Sequence, residues 1–229
     1  MTAAPGRAWG VAAITAGALL LAWPALLNGY PLLFSDTGAF LHQTLGPLMI
    51  WDKPWVYGPL LHLFHWRITL WGPLATQALM TAWLIHLAVR AVRGRPAPGI
   101  TLALCAGAAL LTTAPFAVSL LMPDVFTPAT VLALFLLGLA RGSLSRAEAV
   151  AVGVIATLGI AAHLSHLPLA GALVLLVLAW TRSLHDAARA ALPLLGAVAI
   201  LLATNGVGHG RVGISPHGAS FLLARLQAD

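Results

Sequence analysis

Acidic residues are scarce in this chain, six in 229 positions, so each one asks for a reason. The first, Asp36, lies in the stretch NGYPLLFSDTGAFLHQTL from Asn28 to Leu45, directly after an apolar run and between Ser35 and Thr37. A carboxylate at such a place can act as general base, as metal ligand or as acceptor for a sugar hydroxyl. Ser35-Asp36-Thr37-Gly38 also has the residues of a helix start, where a side-chain oxygen caps backbone N–H groups. Both readings stay open on the sequence alone. Asp124, in LLMPDVFTPAT, follows Pro123 at the head of another apolar run. It could favour the positive end of a helix dipole, or line an outer cleft with Asp36.

Basic and aromatic residues gather near these carboxylates. WDKPWVYGPLLHLFHW, from Trp51 to Trp66, opens with the charged, rigid turn Asp52-Lys53-Pro54. Trp55, Tyr57 and Trp66 are the amphipathic aromatics of a membrane–water interface. His62 and His65, three apart, share one face of a helix. The segment reads either as the floor of a lipid-substrate site or as an anchoring belt. His163 and His166 repeat the spacing in HLSHLP. Imidazole pairs suit zinc, copper or iron, but no HExxH motif or Cys/His cluster accompanies them, so no transition-metal site is expected. Hydrogen bonding to sugar or phosphate is the expected functional use. In the tail NGVGHGRVGISPHGASFLLARLQAD, Arg211 with His209 and His217 could meet a phosphate, although P-loop spacing is absent.

The elements that carry these residues are apolar. The chain is 60% hydrophobic and 8% charged, against roughly 25% charged residues in a soluble domain. Runs long enough to cross a hydrocarbon core recur along it. Seven spans are expected, at about 8–29, 69–92, 100–120, 125–141, 147–163, 167–182 and 189–205. The first does not read as a cleaved signal peptide: only Arg7 precedes it, and Trp23-Pro24 stands where a small-residue cleavage site belongs. The expected class is therefore an all-α polytopic helical bundle. Residues 1–205 form the membrane module, with an outer loop at 30–68 holding a juxtamembrane helix. Residues 206–229 form an outer tail, or the start of a segment that continues further. Cys105 is the single cysteine, so no intrachain disulfide is possible and a small packing role is expected.

Charge sets the expected orientation. With a cytoplasmic N-terminus the inner side holds Arg7, Arg90, Arg93, Arg95, Arg141, Arg146, Arg182 and Arg189, together with Glu148 and Asp186. That side then carries the whole net charge of +6, and every inner connection has at least two arginines, as the positive-inside rule requires. The outer side receives Asp36, Asp52, Asp124 and most of the histidines. A basic balance spread over helix ends in this way argues for topology and against nucleic-acid binding.

Taken together, these elements resemble the membrane module of GT-C type glycosyltransferases. FSDTGAFL looks like that family's first outer loop, with Asp36 in the position of its catalytic aspartate. KPWVYGPLL (Lys53, Pro54, Tyr57) is similar to the basic-proline-tyrosine stretch that enters a juxtamembrane helix. MPDVF places Asp124 where the family carries an acidic residue in its second outer loop. The chain departs from the pattern in having Asp36 followed by Thr37 in place of paired acids, and His163 and His166 where an arginine is usual.

The resemblance implies transfer of a sugar from a polyprenyl-phosphate donor to an acceptor on the non-cytoplasmic face, in the cell envelope and, for a bacterium, the inner membrane. Asp36 would take the acceptor's proton, and Asp124 would orient the acceptor or share a divalent cation, Mg or Mn. Lys53, Tyr57, His62, His65, His163, His166 and Arg211 would bind the substrates. A non-catalytic scaffold that meets a protein partner through the outer loop or tail is the alternative. Transport is a weaker one, since no inverted repeat is visible and almost no charge stands at mid-bilayer depth.

Overall fold

The computed structural model describes residues 5–46 and 48–228; the side chains of Arg7 and Arg225, and Asp229 altogether, fall outside the described residues. The described chain is helical: α1 (Pro5–Leu21), α2 (Trp23–Asn28), α3 (Ser35–Leu45), α4 (Tyr57–His65), α5 (Trp71–Arg93), α6 (Pro98–Leu111), α7 (Ala114–Ser119), α8 (Phe126–Gly138), α9 (Arg146–Ala162), α10 (His166–Thr181), α11 (Leu184–His209) and α12 (Gly218–Ala228). Among the described residues the one β-type contact is an isolated parallel bridge between Leu32 and Leu120. The class is all-α.

Proline and glycine explain most of the boundaries. Pro24, Pro98 and Pro115 sit in the first turns of α2, α6 and α7, where a missing N–H breaks no helical bond. Gly29, Gly94 and Gly210 end α2, α5 and α11 with φ of 72°, 68° and 64°, the left-handed cap that glycine adopts without strain. Two expected spans are thereby broken. The run 8–29 divides into α1 and α2 ahead of Pro24, and 100–120 into α6 and α7 ahead of Pro115. The segment 30–68, expected as an outer loop with one helix, holds two, α3 and α4. By length and composition, α5 and α11 are long and apolar enough to cross a membrane; Ala8–Leu21, Pro98–Leu111, Pro123–Gly138 and His166–Thr181 are shorter apolar helices.

Small residues let the helices approach closely. Ala82, Ala133, Ala156, Ala161, Ala170 and Ala197 are fully buried between α5, α8, α9, α10 and α11. A Cβ on Gly138 would come within 2.7 Å of Val177, so the α8–α10 contact depends on the absence of a side chain there.

Helix α9 sets the distance between two polar clusters. At its start Ser145 Oγ accepts from Glu148 N–H (3.2 Å) and Glu148 Oε2 accepts from Ser145 N–H (2.8 Å), a reciprocal cap. The same carboxylate takes two bonds from the Arg90 guanidinium at the end of α5, at 2.8 and 2.7 Å, and Arg90 also reaches Ser143 O at 2.9 Å. At the other end, 17 residues on and so about 25 Å away at ~1.5 Å per residue, α9 terminates at His163. The paired Arg90 and His163 thus lie at opposite ends of one helix.

Candidate functional site

Asp36 is in the first turn of α3, yet the capping is done by its neighbour. Thr37 Oγ1 accepts from Phe34 N–H at 2.9 Å and donates to Leu121 O at 3.0 Å. Thr37 is fully buried, so this one hydroxyl fixes the start of α3 against the segment after α7. Leu32 N–H donates to Ser119 O and Leu121 N–H to Leu32 O, at 2.9 and 3.0 Å, and complete the clamp. With the cap supplied by Thr37, the Asp36 carboxylate is available for another partner.

That partner is Lys53. Its Nζ lies 3.2 Å from Asp36 Oδ2 and 2.8 Å from Asp52 Oδ2, and 5.8 Å from the centre of the Phe40 ring. Burial alone would lower the lysine's pKa, but hydrogen bonds and charge from Asp52 and Asp36 outweigh it and raise it above 10.5. An ammonium has three donors; two are engaged here, which leaves one for a ligand. The lysine is positioned by Gln43, which is buried and bonds to the turn on both sides: its Nε2 donates to Pro54 O at 3.1 Å and its Oε1 accepts from Gly58 N–H at 3.2 Å. Gly58 is needed there, because a Cβ would collide with Phe40 O and Gln43 Oε1.

Asp36, Asp52, Lys53 and His163 line one recess of about 160 Å³, closed by Phe40, Pro123 and Leu164. At about 30 Å³ per water it holds roughly five. His163 Nδ1 bonds Ser165 Oγ at 2.7 Å, and among the described residues its Nε2 has no hydrogen-bond partner. Two aspartates and one lysine line the recess, a formal excess of one negative charge. The recess therefore suits a neutral, hydroxyl-rich group better than an isolated phosphate.

The remaining expected site residues lie elsewhere. Asp124 is exposed in a short 3-10 turn, Pro123–Val125, and does not line the recess. Its charge is felt at Tyr57, whose phenol is raised well above its usual range, first by burial and then by Asp124. Tyr57 donates to Gln77 Oε1 at 2.6 Å, and Gln77 Nε2 donates to Val118 O and Leu120 O, each at 3.1 Å. His166 is buried with both ring nitrogens engaged, Nδ1 to Gly159 O at 2.7 Å and Nε2 with Thr127 Oγ1 at 2.8 Å. It joins α8, α9 and α10. His62 and His65 meet edge to face at 4.9 Å on α4. Arg211 is exposed beyond α11, in a tail whose His217 ring lies 6.1 Å from Trp51 and 5.5 Å from His209.

Gln43 and Gln77 are organising residues that motif reading passed over. The signal for Gln77 was present: an amide inside a 23-residue apolar helix is expensive unless bonded. The donor set does not fit a divalent cation shared by Asp36 and Asp124, since Asp124 is outside the recess and an ammonium lies between Asp36 and Asp52. Among the described residues no group of three or more His, Cys, Asp or Glu could hold a metal ion.

A second, apolar cavity of about 230 Å³ is lined by Tyr57, Leu61, Phe64, Met80, Phe126 and Leu158 among others. Phe40, which lines the recess, meets Tyr57 edge to face at 5.1 Å, and Tyr57 meets Phe126 at 6.3 Å, both of which line the apolar cavity. In comparisons with known proteins, no family model, curated protein or solved structure matches this chain.

Proposed function

We propose that the chain is a polytopic membrane protein with seven spans and an outer catalytic recess, and that it moves a sugar from a polyprenyl-phosphate donor to an acceptor on the non-cytoplasmic face. The observation that carries this reading is the convergence of Asp36 and Lys53, from the loop at 30–68, with His163 at the end of α9 on one polar recess. An apolar cavity is joined to it through the Phe40–Tyr57 ring contact. In this reading the cavity takes part of the isoprenoid chain and the recess takes hydroxyl-bearing groups. Asp36 accepts the acceptor's proton as the oxygen attacks the anomeric carbon in a single displacement with inversion, while the bond from that carbon to the donor's phosphate oxygen breaks and polyprenyl phosphate leaves. Lys53 holds Asp36 in position and keeps one donor for the substrate.

The lipid setting is supported by the outward faces. Only 28% of an 18-residue apolar stretch of α11 is buried, and Leu192, Leu195, Leu110, Leu111 and Trp180 are exposed. A soluble monomer rarely shows apolar surface on this scale.

The test is transfer from a labelled polyprenyl-phosphate sugar by the purified full chain in lipid nanodiscs. Asp36→Asn should abolish transfer while leaving helicity and expression close to wild type. A variant that remains active sinks the base role. A wild-type chain that is well folded yet inert with every donor tried favours the scaffold reading.

A further inference from the structure

A second recess, of about 260 Å³, shares no residue with the first. It lies where the turn after α4 meets α3, and its polar lining is Tyr30, His65, Arg67 and Thr69. Leu41, Leu45 and Leu70 make an apolar wall beside them.

The histidine here is unusual. His65 is 3% exposed, and its Nδ1 accepts a hydrogen bond from Arg67 N–H at 2.8 Å. A neutral imidazole that accepts at Nδ1 carries its proton at Nε2. That Nε2 is buried and has no hydrogen-bond partner. Burial, then the neighbouring His62 and Arg67, lower the pKa of the ring, which keeps it in this neutral, donating form. A buried donor without an acceptor is costly, and the ring that carries it forms part of the recess wall. Trp66 and Arg67 hold left-handed backbone, φ 43° and 62°, and this turn brings the Arg67 N–H onto the ring.

The charge beside it has one sign. Arg67 is exposed; one arm donates to Thr44 O at 3.2 Å, and among the described residues no carboxylate pairs with it. No acidic residue lines the recess. The hydroxyls of Tyr30 and Thr69 add further donors. Donors, one guanidinium and an apolar wall at an aromatic-rich boundary describe the complement of an anionic amphiphile.

We propose that this recess binds the phosphate-bearing headgroup of an anionic lipid, with the Arg67 guanidinium and the hydroxyls of Tyr30 and Thr69 on the phosphate oxygens, the buried His65 ring behind them, and the first part of an acyl chain along Leu41 and Leu45. The site is independent of the transfer reading and would operate equally in a scaffold.

The experiment is native mass spectrometry of the detergent-purified full chain, titrated with dioleoyl phosphatidylglycerol and, in parallel, dioleoyl phosphatidylcholine. A third arm adds inorganic phosphate as competitor. The wild-type chain should retain phosphatidylglycerol over phosphatidylcholine. Arg67→Gln, at an exposed position, should weaken that retention about tenfold or more, as loss of a charge-assisted bond implies. Arg67→Lys should restore part of it, and Tyr30→Phe should weaken it less. Millimolar phosphate that displaces the lipid completely would support the anion site and assign it to a soluble phosphate. Equal retention of the two lipids, or an Arg67→Gln chain as competent as wild type with unchanged helicity, overturns the proposal.

Discussion

Replacing Lys53 by Met removes one ammonium and leaves two carboxylates facing the recess without it. At the 3.2 Å between Lys53 Nζ and Asp36 Oδ2, Coulomb attraction falls from about 5 kcal/mol at an effective dielectric of ~20 to about 1 kcal/mol in water. The lysine side chain is 13% exposed, but that of Asp36 is 44% exposed, and solvent screening with side-chain ordering pulls the net value toward the surface range. The Lys53–Asp36 coupling is therefore expected at about 0.5–1 kcal/mol. Lys53→Met alone should cost more than Asp36→Asn alone, because the shorter 2.8 Å pair with Asp52 is lost as well. A double-mutant cycle of Lys53→Met and Asp36→Asn, read by thermal unfolding in one detergent, isolates the pair. For a chain of this size about 1 kcal/mol corresponds to roughly 2–4 °C, so the double variant should lie a few degrees above the additive sum. The coupling should shrink at about 1 M salt, where the Debye length is ~3 Å. Strict additivity at low salt, or a coupling indifferent to salt, refutes the idea that Lys53 holds Asp36.

Two further outcomes follow from groups nearby. Gln77→Leu strands the Tyr57 hydroxyl and the carbonyl of Val118, and leaves Leu120 O only its bond from Met122 N–H; it should cost about 2–4 kcal/mol, whereas Tyr57→Phe, which strands one acceptor, should cost about 1 kcal/mol; denaturant titration in detergent that ranks them the other way contradicts the network. The pH response should differ at the two ends of the scale. Because the folded state holds the pKa of Lys53 above 10.5, its contribution is fully present below that value and is lost as pH rises through the raised one. Because the folded state lowers the pKa of His65 from 6.5, the unfolded chain binds the extra proton first, and stability falls as pH drops below 6.5. His65→Gln should flatten that acid limb below pH 6.5; an unchanged limb rules out His65 as its source.

Charge and hydropathy carried the coarse arrangement of this protein, and packing decided the fine one. Loop composition grouped Arg90 with Glu148 and Asp36 with Lys53 and His163, and the structure places the two groups at opposite ends of α9. Arg90 does pair with Glu148, and the other three do line one recess. Which same-side residues converge was not legible. Asp124 and His163 carry equal weight as motifs, yet a three-residue 3-10 turn leaves Asp124 exposed, whereas the extended C-cap of α9 sets His163 in the recess wall. His166 has the same spacing from His163 as His65 from His62, but the chain breaks between the first two. His166 therefore begins a new helix and turns both nitrogens to packing bonds, while His62 and His65 stay on one continuous face.

The same logic resolves the question posed by Asp36. Ser35, Asp36 and Thr37 are all competent caps by residue type, and sequence cannot rank them because the choice depends on a partner 84 positions away. Thr37 wins because its hydroxyl is both acceptor for Phe34 N–H and donor to Leu121 O, a double role that a carboxylate, with no proton to give, cannot fill. A capping aspartate would have been held within its own helix turn. Displacement from that role makes Asp36 free to meet Lys53, and the cap that excludes it also clamps its helix to the segment leading to Pro123, which closes the recess. Structural and chemical readings of FSDTGAFL are thus complementary: the threonine satisfies the backbone, and the aspartate beside it is left to the cleft.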